Sequence, residues 1–264
     1  MKGWMLRWLG RLVVGAIVLY LLAPTLVVVI FSFYPTAYLT FPPHAFTLKW
    51  YHEAFAQHDL FLDPLVTSLL LALASSAIAT VIGTVAALGL VRAPLRHRAF
   101  WQGAFLAPIL IPTLIVGFGL MLFFLRLDLL GSWWSLLAGH VTIIVAYVIQ
   151  SVSASLAGLD PSVEEAAKTL GSSPLRAFFR VTLPQIAPGI AAGAVFAFIM
   201  SFDELALTLL LATPTTTTLP VAIYSYVQFD SGPTVAAIST ILLAITLGFL
   251  LLLQRVGGLR RRTH

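Results

Sequence analysis

Residues 158–184 read GLDPSVEEAAKTLGSSPLRAFFRVTLP and separate two long apolar stretches of the chain. The segment predicts two short helices joined by a turn. Ser162 is placed to cap the first helix, and the carboxylates of Glu164 and Glu165 follow in its opening turn, where the positive end of the helix stabilises negative charge.

A turn and a second helix follow along the chain. Gly171 fits the left-handed residue that ends many helices. Ser173 followed by Pro174 is typical of a helix start, because serine caps the first turn and proline needs no hydrogen-bond partner there. Pro184 and Pro188 are expected to redirect the chain into the next apolar stretch.

Apolar side chains occupy one face of both short helices: Ala166, Ala167, Leu170, Leu175, Phe178, Phe179 and Val181. Such a face predicts either a docking surface for a partner protein or an amphipathic hairpin that lies on the lipid surface. The residues alone leave both interpretations open.

The composition of the whole chain indicates a membrane protein. Hydrophobic residues make up 59% of the 264 residues and charged residues only 9%, whereas a soluble domain carries roughly 25% charged residues. No cysteine is present, which excludes disulfides, thiolate metal sites and cysteine nucleophiles.

Six segments have the roughly 20 residues, mostly apolar, that a helix needs to cross the hydrocarbon core. They predict an all-α integral membrane protein with six transmembrane helices, folded as a single domain over residues 1–264. The predicted spans are 12–33, 65–91, 101–125, 133–157, 186–211 and 234–254. The segment 34–63 is expected to carry a short helix near 48–57, which either lies at the interface or docks an external protein.

The basic residues predict the orientation of these spans. Thirteen of the fifteen flank the spans on one side, and only Lys49 and Arg126 lie on the other. Lysine and arginine accumulate on the cytoplasmic side, so both termini and the 158–185 loop are predicted to be cytoplasmic. The positive charge is thus explained by topology, and no nucleic-acid partner is expected.

One motif in the 158–185 loop is recognisable. Its spacing resembles the EAA loop of binding-protein-dependent ABC importer permeases, whose pattern is EAA-x3-G-x9-I-x-LP. Valine stands where the family has isoleucine, and the matching residues are Glu165, Ala166, Ala167, Gly171, Val181, Leu183 and Pro184.

The resemblance implies the type I ABC importer permease fold and a place in the bacterial cytoplasmic membrane. In that family the loop inserts into an ATPase subunit, which assigns coupling to Glu164 and to the seven motif residues. The implied partners are a second permease, two ATPase subunits, an external solute-binding protein and membrane lipid. The chain has no GxxxxGK[ST] phosphate loop, so ATP and Mg are expected on the ATPase, and no cofactor or enzymatic activity is expected here.

Shorter stretches resemble the spermidine/putrescine permeases: residues 46–51 (FTLKWY), 201–204 (SFDE) and 219–225 (LPVAIYS). They imply import of a polyamine, although permeases for other small solutes share similar stretches. An ion-coupled secondary transporter is a further alternative. It would use Asp203 as an ion site and predicts inverted repeats, but it does not explain the EAA pattern.

Asp203 and Glu204 are candidates for the solute path. Counted from Ile186, they lie roughly 25–27 Å along the fifth predicted helix, in its outer third. A carboxylate in a span is costly and usually faces a cavity or a partner. Either it accepts a cationic solute, or it is hydrated near the interface or bonded to a neighbouring helix.

Polar residues and prolines mark two other spans. Tyr147 and Gln150 share a face of the fourth span, where they line a polar path or join helices through hydrogen bonds. His140 is interpreted as a packing residue. Pro108 and Pro112 free backbone carbonyls in the third span and permit a bend.

The predicted orientation is open to a direct test. A reporter enzyme that is active only in the cytoplasm, fused after His264, should be active, because thirteen basic residues hold that side inward. A second reporter inserted after Arg126, in a predicted outer loop, is the matched control and should be inactive. External labelling of the C-terminal tail would contradict the topology.

Overall fold

A computed structural model describes residues 2–36, 45–56, 58–228 and 232–259. All regular elements in these ranges are helices, which confirms the all-α class. They are α1 Lys2–Phe31, α2 Lys49–Ala56, α3 Asp63–Arg92, α4 Arg98–Leu110, α5 Thr113–Arg126, α6 Trp133–Ala157, α7 Pro161–Thr169, α8 Pro174–Ala177, α9 Leu183–Phe202, α10 Ala206–Leu211, α11 Leu219–Val227 and α12 Pro233–Leu259, with π-helical turns at His58–Leu62 and Phe178–Thr182.

Four helical segments of the described chain are long and apolar enough to cross a membrane: Arg7–Phe31, Leu60–Arg92, Trp133–Ala157 and Pro174–Phe202. A bent pair, α4 with α5, brings the number to five when it counts as one span. The sixth predicted span falls on α12, whose part at Pro233–Gly248 is a shorter apolar helix. Arg260, Arg261 and Arg262 lie outside the described residues.

The third predicted span is bent by 99° between α4 and α5. Ile111 adopts an extended conformation, with ψ at 132°, because the ring of the following proline disfavours helical geometry at the residue before it. Pro108 lies inside α4, so Pro112 rather than Pro108 ends the helix. The bend that these prolines permit is therefore present.

The fifth predicted span, 186–211, is not one helix, and this prediction was wrong. Helix α9 ends at Phe202, the chain leaves helical geometry at 203–205, and α10 begins at Ala206. Hydropathy does not register the break because apolar residues continue on both sides of it.

The expectation that Pro184 and Pro188 redirect the chain was also wrong. The helical segment runs without interruption from Pro174 to Phe202. A π-helical turn precedes Pro184, and within it the Leu183 N–H donates to the carbonyl of Phe178. The wider turn accommodates a proline that has no N–H of its own.

The described residues form two compact units. One contains those within 1–62 and 223–247, and the other those within 63–222 and 248–259. In the first, α2 is the helix predicted near 48–57, and Gln57 lies outside the described residues. Two hydrogen bonds fasten α2 to the end of α1: Trp50 Nε1–H donates to the Tyr34 carbonyl at 2.6 Å, and the hydroxyls of Ser32 and Tyr51 lie 2.7 Å apart.

The second unit is built around α6, which packs against α3 and α9. Val148 at its centre is fully buried. A Cβ at Gly83 of α3 would lie 2.7 Å from Val148 Cβ, and a Cβ at Gly193 of α9 would lie 3.1 Å from Val148 Cα. Glycine at these two positions therefore lets three helices approach closely, as is common in membrane bundles.

Candidate functional site

The first helix of the 158–185 loop is capped two residues earlier than predicted, at Asp160 instead of Ser162. The Asp160 carboxylate accepts the Ser162 N–H at 2.9 Å, and Pro161 occupies the first helical position. The cap prediction for Ser162 was therefore wrong, because the Asp-Pro pair supplies both the acceptor and the residue that needs no donor partner. The same hydrogen bond lowers the pKa of Asp160.

Gly171 ends this helix in the left-handed conformation, with φ at 90°. The Ser172 N–H donates to the Ala167 carbonyl at 3.0 Å, and the Gly171 N–H to the Lys168 carbonyl at 2.9 Å, which is the Schellman pattern. Space around a Cβ at Gly171 is open, so the backbone alone requires glycine. Ser173 caps α8 through the Arg176 N–H at 3.4 Å, as predicted.

Four large apolar side chains of the loop point away from the rest of the described chain. The exposed fraction is 88% for Leu170 and 72% for Leu175. Phe179 and Val163 are exposed as well, and so is Ala166. This group (Val163, Leu170, Leu175 and Phe179, called here the apolar loop face) leaves in contact with solvent a surface that stable monomers normally cover.

Glu164 ties the loop to the helical bundle. Its carboxylate lies 2.7 Å from the Arg92 guanidinium at the end of α3 and 2.9 Å from the Lys168 ammonium, and it accepts a hydrogen bond from the Thr182 hydroxyl just before α9. Arg92 also donates to Thr182 Oγ1 at 3.1 Å. One side chain thus connects α7 to both α3 and α9.

The Glu164 carboxylate, which with Arg92, Lys168 and Thr182 forms the Glu164 cluster, keeps its negative charge far into the acid range. Only 14% of the Glu164 side chain is exposed. The hydrogen bond from Thr182, with contributions from Lys168 and Arg92, lowers the pKa of Glu164 to about 2. The two cations are more exposed, so each ion pair contributes about 1 kcal/mol or less.

An open cleft of about 450 Å³ lies beside this cluster, between the ends of α3 and α6 and the start of α9. Glu164, Glu165 and Val181 line it. Leu183 packs against the hydrophobic core, and Pro184 is exposed. The residues predicted for coupling therefore do not form one surface. Glu164 is an anchor, Gly171 forms the turn, Leu183 packs in the core, and Glu165, Ala166 and Pro184 are exposed.

The candidates for the solute path lie farther along α6 and α9. Asp203 is exposed and Glu204 is half-buried, and the Glu204 carboxylate accepts the Leu207 N–H at 2.9 Å, which caps α10. Within the part of the chain that the structure describes, no basic side chain forms an ion pair with Asp203.

Tyr147 and Gln150 are not level with this acidic pair. His140 lies beside Ser201, and Val148 lies beside Gly193, so α6 and α9 run antiparallel. Tyr147 is therefore about 10 Å from the level of Ser201 toward the loop end, whereas Asp203 lies beyond Ser201 in the opposite direction. Gln150 is exposed and Tyr147 half-buried.

Sequence reasoning missed the part played by His140. Its imidazole is fully buried and contacts the hydroxyls of Ser201 and Thr208, one on each side of the break after Phe202. The only signal in the sequence is a histidine in one apolar stretch and two hydroxyl residues in another. Nothing in their spacing relates these three positions.

The Glu164 cluster makes a prediction about the loop. Glu164→Gln removes the charge that binds Arg92 and Lys168, so amide hydrogen exchange across residues 161–169 should increase in the isolated permease. Glu165→Gln is the matched control and should leave exchange unchanged. Because the pKa of Glu164 is lowered from 4.5, its stabilisation is present above about pH 4.5 and is lost as the pH falls toward about 2. Equal exchange in the two variants would contradict the anchoring role.

Comparison with known proteins identifies the family. Residues 79–257 match the family described as "Binding-protein-dependent transport system inner membrane component". The chain is 35% identical over 232 residues to the putrescine transport system permease protein PotI of Escherichia coli strain K12, which covers 85% of this chain and 82% of the relative. It is 32% identical over 253 residues to the spermidine/putrescine transport system permease protein PotC of the same strain, with 94% and 95% covered.

A third relative has a different named solute. The putative 2-aminoethylphosphonate transport system permease protein PhnV of Salmonella typhimurium strain LT2 is 32% identical over 217 residues, with 81% of each chain covered. Among solved structures, a bacterial ABC transporter involved in the import of alginate superposes with a TM-score of 0.76 at 16% identity, over 100% of this chain and 97% of that one. The chain therefore belongs to the binding-protein-dependent transport family and is a multi-pass inner-membrane permease of an ABC importer.

Proposed function

We propose that this permease imports a small cationic amine, putrescine or spermidine, using ATP that a partner subunit hydrolyses. The observation that carries the proposal is the exposed Asp203 carboxylate at a break in a membrane span, in a chain whose relatives are named for putrescine and spermidine. The proposed assembly contains a second permease, two ATPase subunits with their ATP and Mg, and an external solute-binding protein.

In this proposal the apolar loop face docks on the ATPase. A face on which Leu170 and Leu175 are mostly exposed loses unfavourable contact with water when a partner covers it. The motif residues Glu165, Ala166 and Ala167 lie on α7, which also carries Val163 of this face. Glu164 fastens that helix to α3 and α9, so movement of the ATPase would reach both helices.

The proposed orientation puts both termini and the 158–185 loop in the cytoplasm. Thirteen of fifteen basic residues support it. An ATPase that uses cytoplasmic ATP would then meet the loop directly.

Asp203 is proposed to accept an ammonium group of the solute. An unpaired carboxylate in a span is penalised by about 2.5 kcal/mol or more. No lysine or arginine occurs between the ends of predicted spans two to five. A cationic solute would supply the missing charge during passage.

A second candidate solute is 2-aminoethylphosphonate, on the strength of its named relative at 32% identity. It shares a primary ammonium with the polyamines but also carries a phosphonate anion. Such an anion needs basic partners, and predicted spans two to five offer none between their ends. This observation favours the polyamine. Membership in a binding-protein-dependent family disfavours the ion-coupled transporter.

Docking of the loop on the ATPase is tested by substitutions that place a negative charge in its apolar surface. Ala167→Asp and Leu170→Asp should leave the permease in the membrane but prevent co-purification of the ATPase, because a buried, unpaired carboxylate opposes assembly. Leu129→Asp, an exposed leucine at the opposite end of α6, is the control and should keep the ATPase bound. Normal co-purification of both loop variants would contradict docking.

The role of Asp203 is tested by Asp203→Asn, a nearly isosteric change that removes the charge. A hydrogen bond to a charged group contributes about 1.5–3 kcal/mol, so KM for putrescine uptake should rise by about tenfold or more. Asp128→Asn, outside the predicted spans, should have no effect. Unchanged putrescine uptake by an assembled Asp203→Asn transporter would exclude Asp203 as a solute site.

A further inference from the structure

A hydrogen-bond network around one buried imidazole connects four helices of the second unit. His140 on α6 has no exposed surface. Its Nδ1 lies 2.8 Å from Ser201 Oγ on α9, and its Nε2 lies 3.0 Å from Thr208 Oγ1 on α10. Ser201 Oγ is in turn 2.8 Å from Ser75 Oγ on α3. The network therefore contacts both sides of the break at 203–205.

The hydrogen bonds of this network fix the direction of each donor. The Thr208 hydroxyl donates its proton to the Glu204 carbonyl at 3.0 Å. Because a hydroxyl has only one proton, Thr208 accepts from His140, which places the imidazole proton on Nε2. In the neutral ring Nδ1 is then an acceptor for the Ser201 hydroxyl. Ser75 Oγ lies 2.8 Å from Ser201 Oγ and 3.4 Å from the Ala72 carbonyl, and we assign its one proton to the shorter bond, to Ser201. The tautomer thus follows from the partners.

Close packing brings Thr208 within reach of the ring. A Cβ at Gly139, next to His140, would lie 3.2 Å from the side chain of Leu207, and a Cβ at Gly117 of α5 would lie 3.1 Å from Leu207 Cα. Leu207 and Thr208 are both fully buried. Because Gly117 and Gly139 have no side chains, α10 packs closely against α5 and α6.

The ring spans the break as one rigid body. Ser201 precedes the break and Thr208 follows it, so the two helix ends cannot separate without loss of a bond to His140. No bulk water is available at a fully buried site to replace that bond, and an unsatisfied buried polar group is costly. An apolar side chain of the same volume would fill the space but would not join the two ends.

We propose that His140 is a positioning residue that joins α9 to α10 through Ser201 and Thr208, and so fixes the location of the Asp203 carboxylate. Asp203 follows Ser201 by two residues and is held in the segment that the imidazole bridges. The consequence for transport rests on the proposed function. The bridge itself does not depend on the identity of the solute.

Two amide substitutions at His140 distinguish its hydrogen bond to Thr208 from its hydrogen bond to Ser201. His140→Gln offers an N–H at the position of Nε2 and retains the bond to Thr208. His140→Asn offers an acceptor at the position of Nδ1 and retains only the bond to Ser201. Thr208→Ser and Thr208→Val form a second pair on the other partner, one with a hydroxyl and one without.

The experiment uses the permease co-expressed with its partner subunits. Hydrogen exchange at residues 206–212 reports the bridge, and KM for putrescine uptake reports its consequence. For His140→Asn and Thr208→Val we expect exchange and KM both to rise about fivefold or more, as for a buried hydrogen bond that is lost. His140→Gln and Thr208→Ser should stay close to the unaltered protein.

Three results would overturn the proposal: identical exchange in all four variants, equal exchange in His140→Gln and His140→Asn, or faster exchange with KM unchanged. If His140→Asn does not assemble, the Thr208 pair decides, because Thr208→Val keeps the volume of the side chain. If the unaltered transporter takes up no putrescine, the proposed solute is wrong, and the exchange pattern alone decides on the bridge.

Discussion

In the hydrocarbon of a bilayer, no water satisfies a backbone N–H or carbonyl that leaves its helix. Each interruption of a span therefore needs replacement partners from the protein. At Pro112 the turn closes on itself, since the Ile111 N–H donates to the Ala107 carbonyl at 3.0 Å and the Ile115 N–H to the Pro112 carbonyl at 2.9 Å. At Asp203 the replacements are side chains, with Glu204 accepting the Leu207 N–H and Thr208 donating to the Glu204 carbonyl.

Most of the correct predictions concern local features, although the local cap at Ser162 and the redirection at Pro184 and Pro188 were wrong. Apolar length predicted the helical class, the pair Ser173-Pro174 predicted a helix start, and Gly171 predicted a helix end inside the 158–185 loop. Pro108 and Pro112 indicated that the third predicted span can bend. Each of these signals lies within one helical turn of its effect, so neighbouring residues alone carry it.

Features that depend on distant residues were not predictable in the same way. The break after Phe202 is stabilised by His140, which lies 61 residues before Ser201 in the chain. The anchor of the loop joins Glu164 to Arg92, 72 residues away. Both contacts exist only because α3, α6 and α9 pack together, and that packing depends on the shapes at Gly83 and Gly193.

Each of the two distant contacts belongs to a hydrogen-bond network that includes a residue of α3, and the two networks lie near opposite ends of α9. Arg92 and Ser75 both lie on α3, about 25 Å apart along its axis, and Thr182 and Ser201 bracket a similar length of α9. At one end Glu164 binds the two helices to the loop, and at the other His140 and Ser75 bind Ser201 beside the break. A continuous helix transmits a displacement along its axis because its hydrogen bonds resist stretching. A shift imposed on the loop would therefore reach Ser201 and the break that follows it. That break holds Asp203, which is the exposed carboxylate of the predicted fifth span.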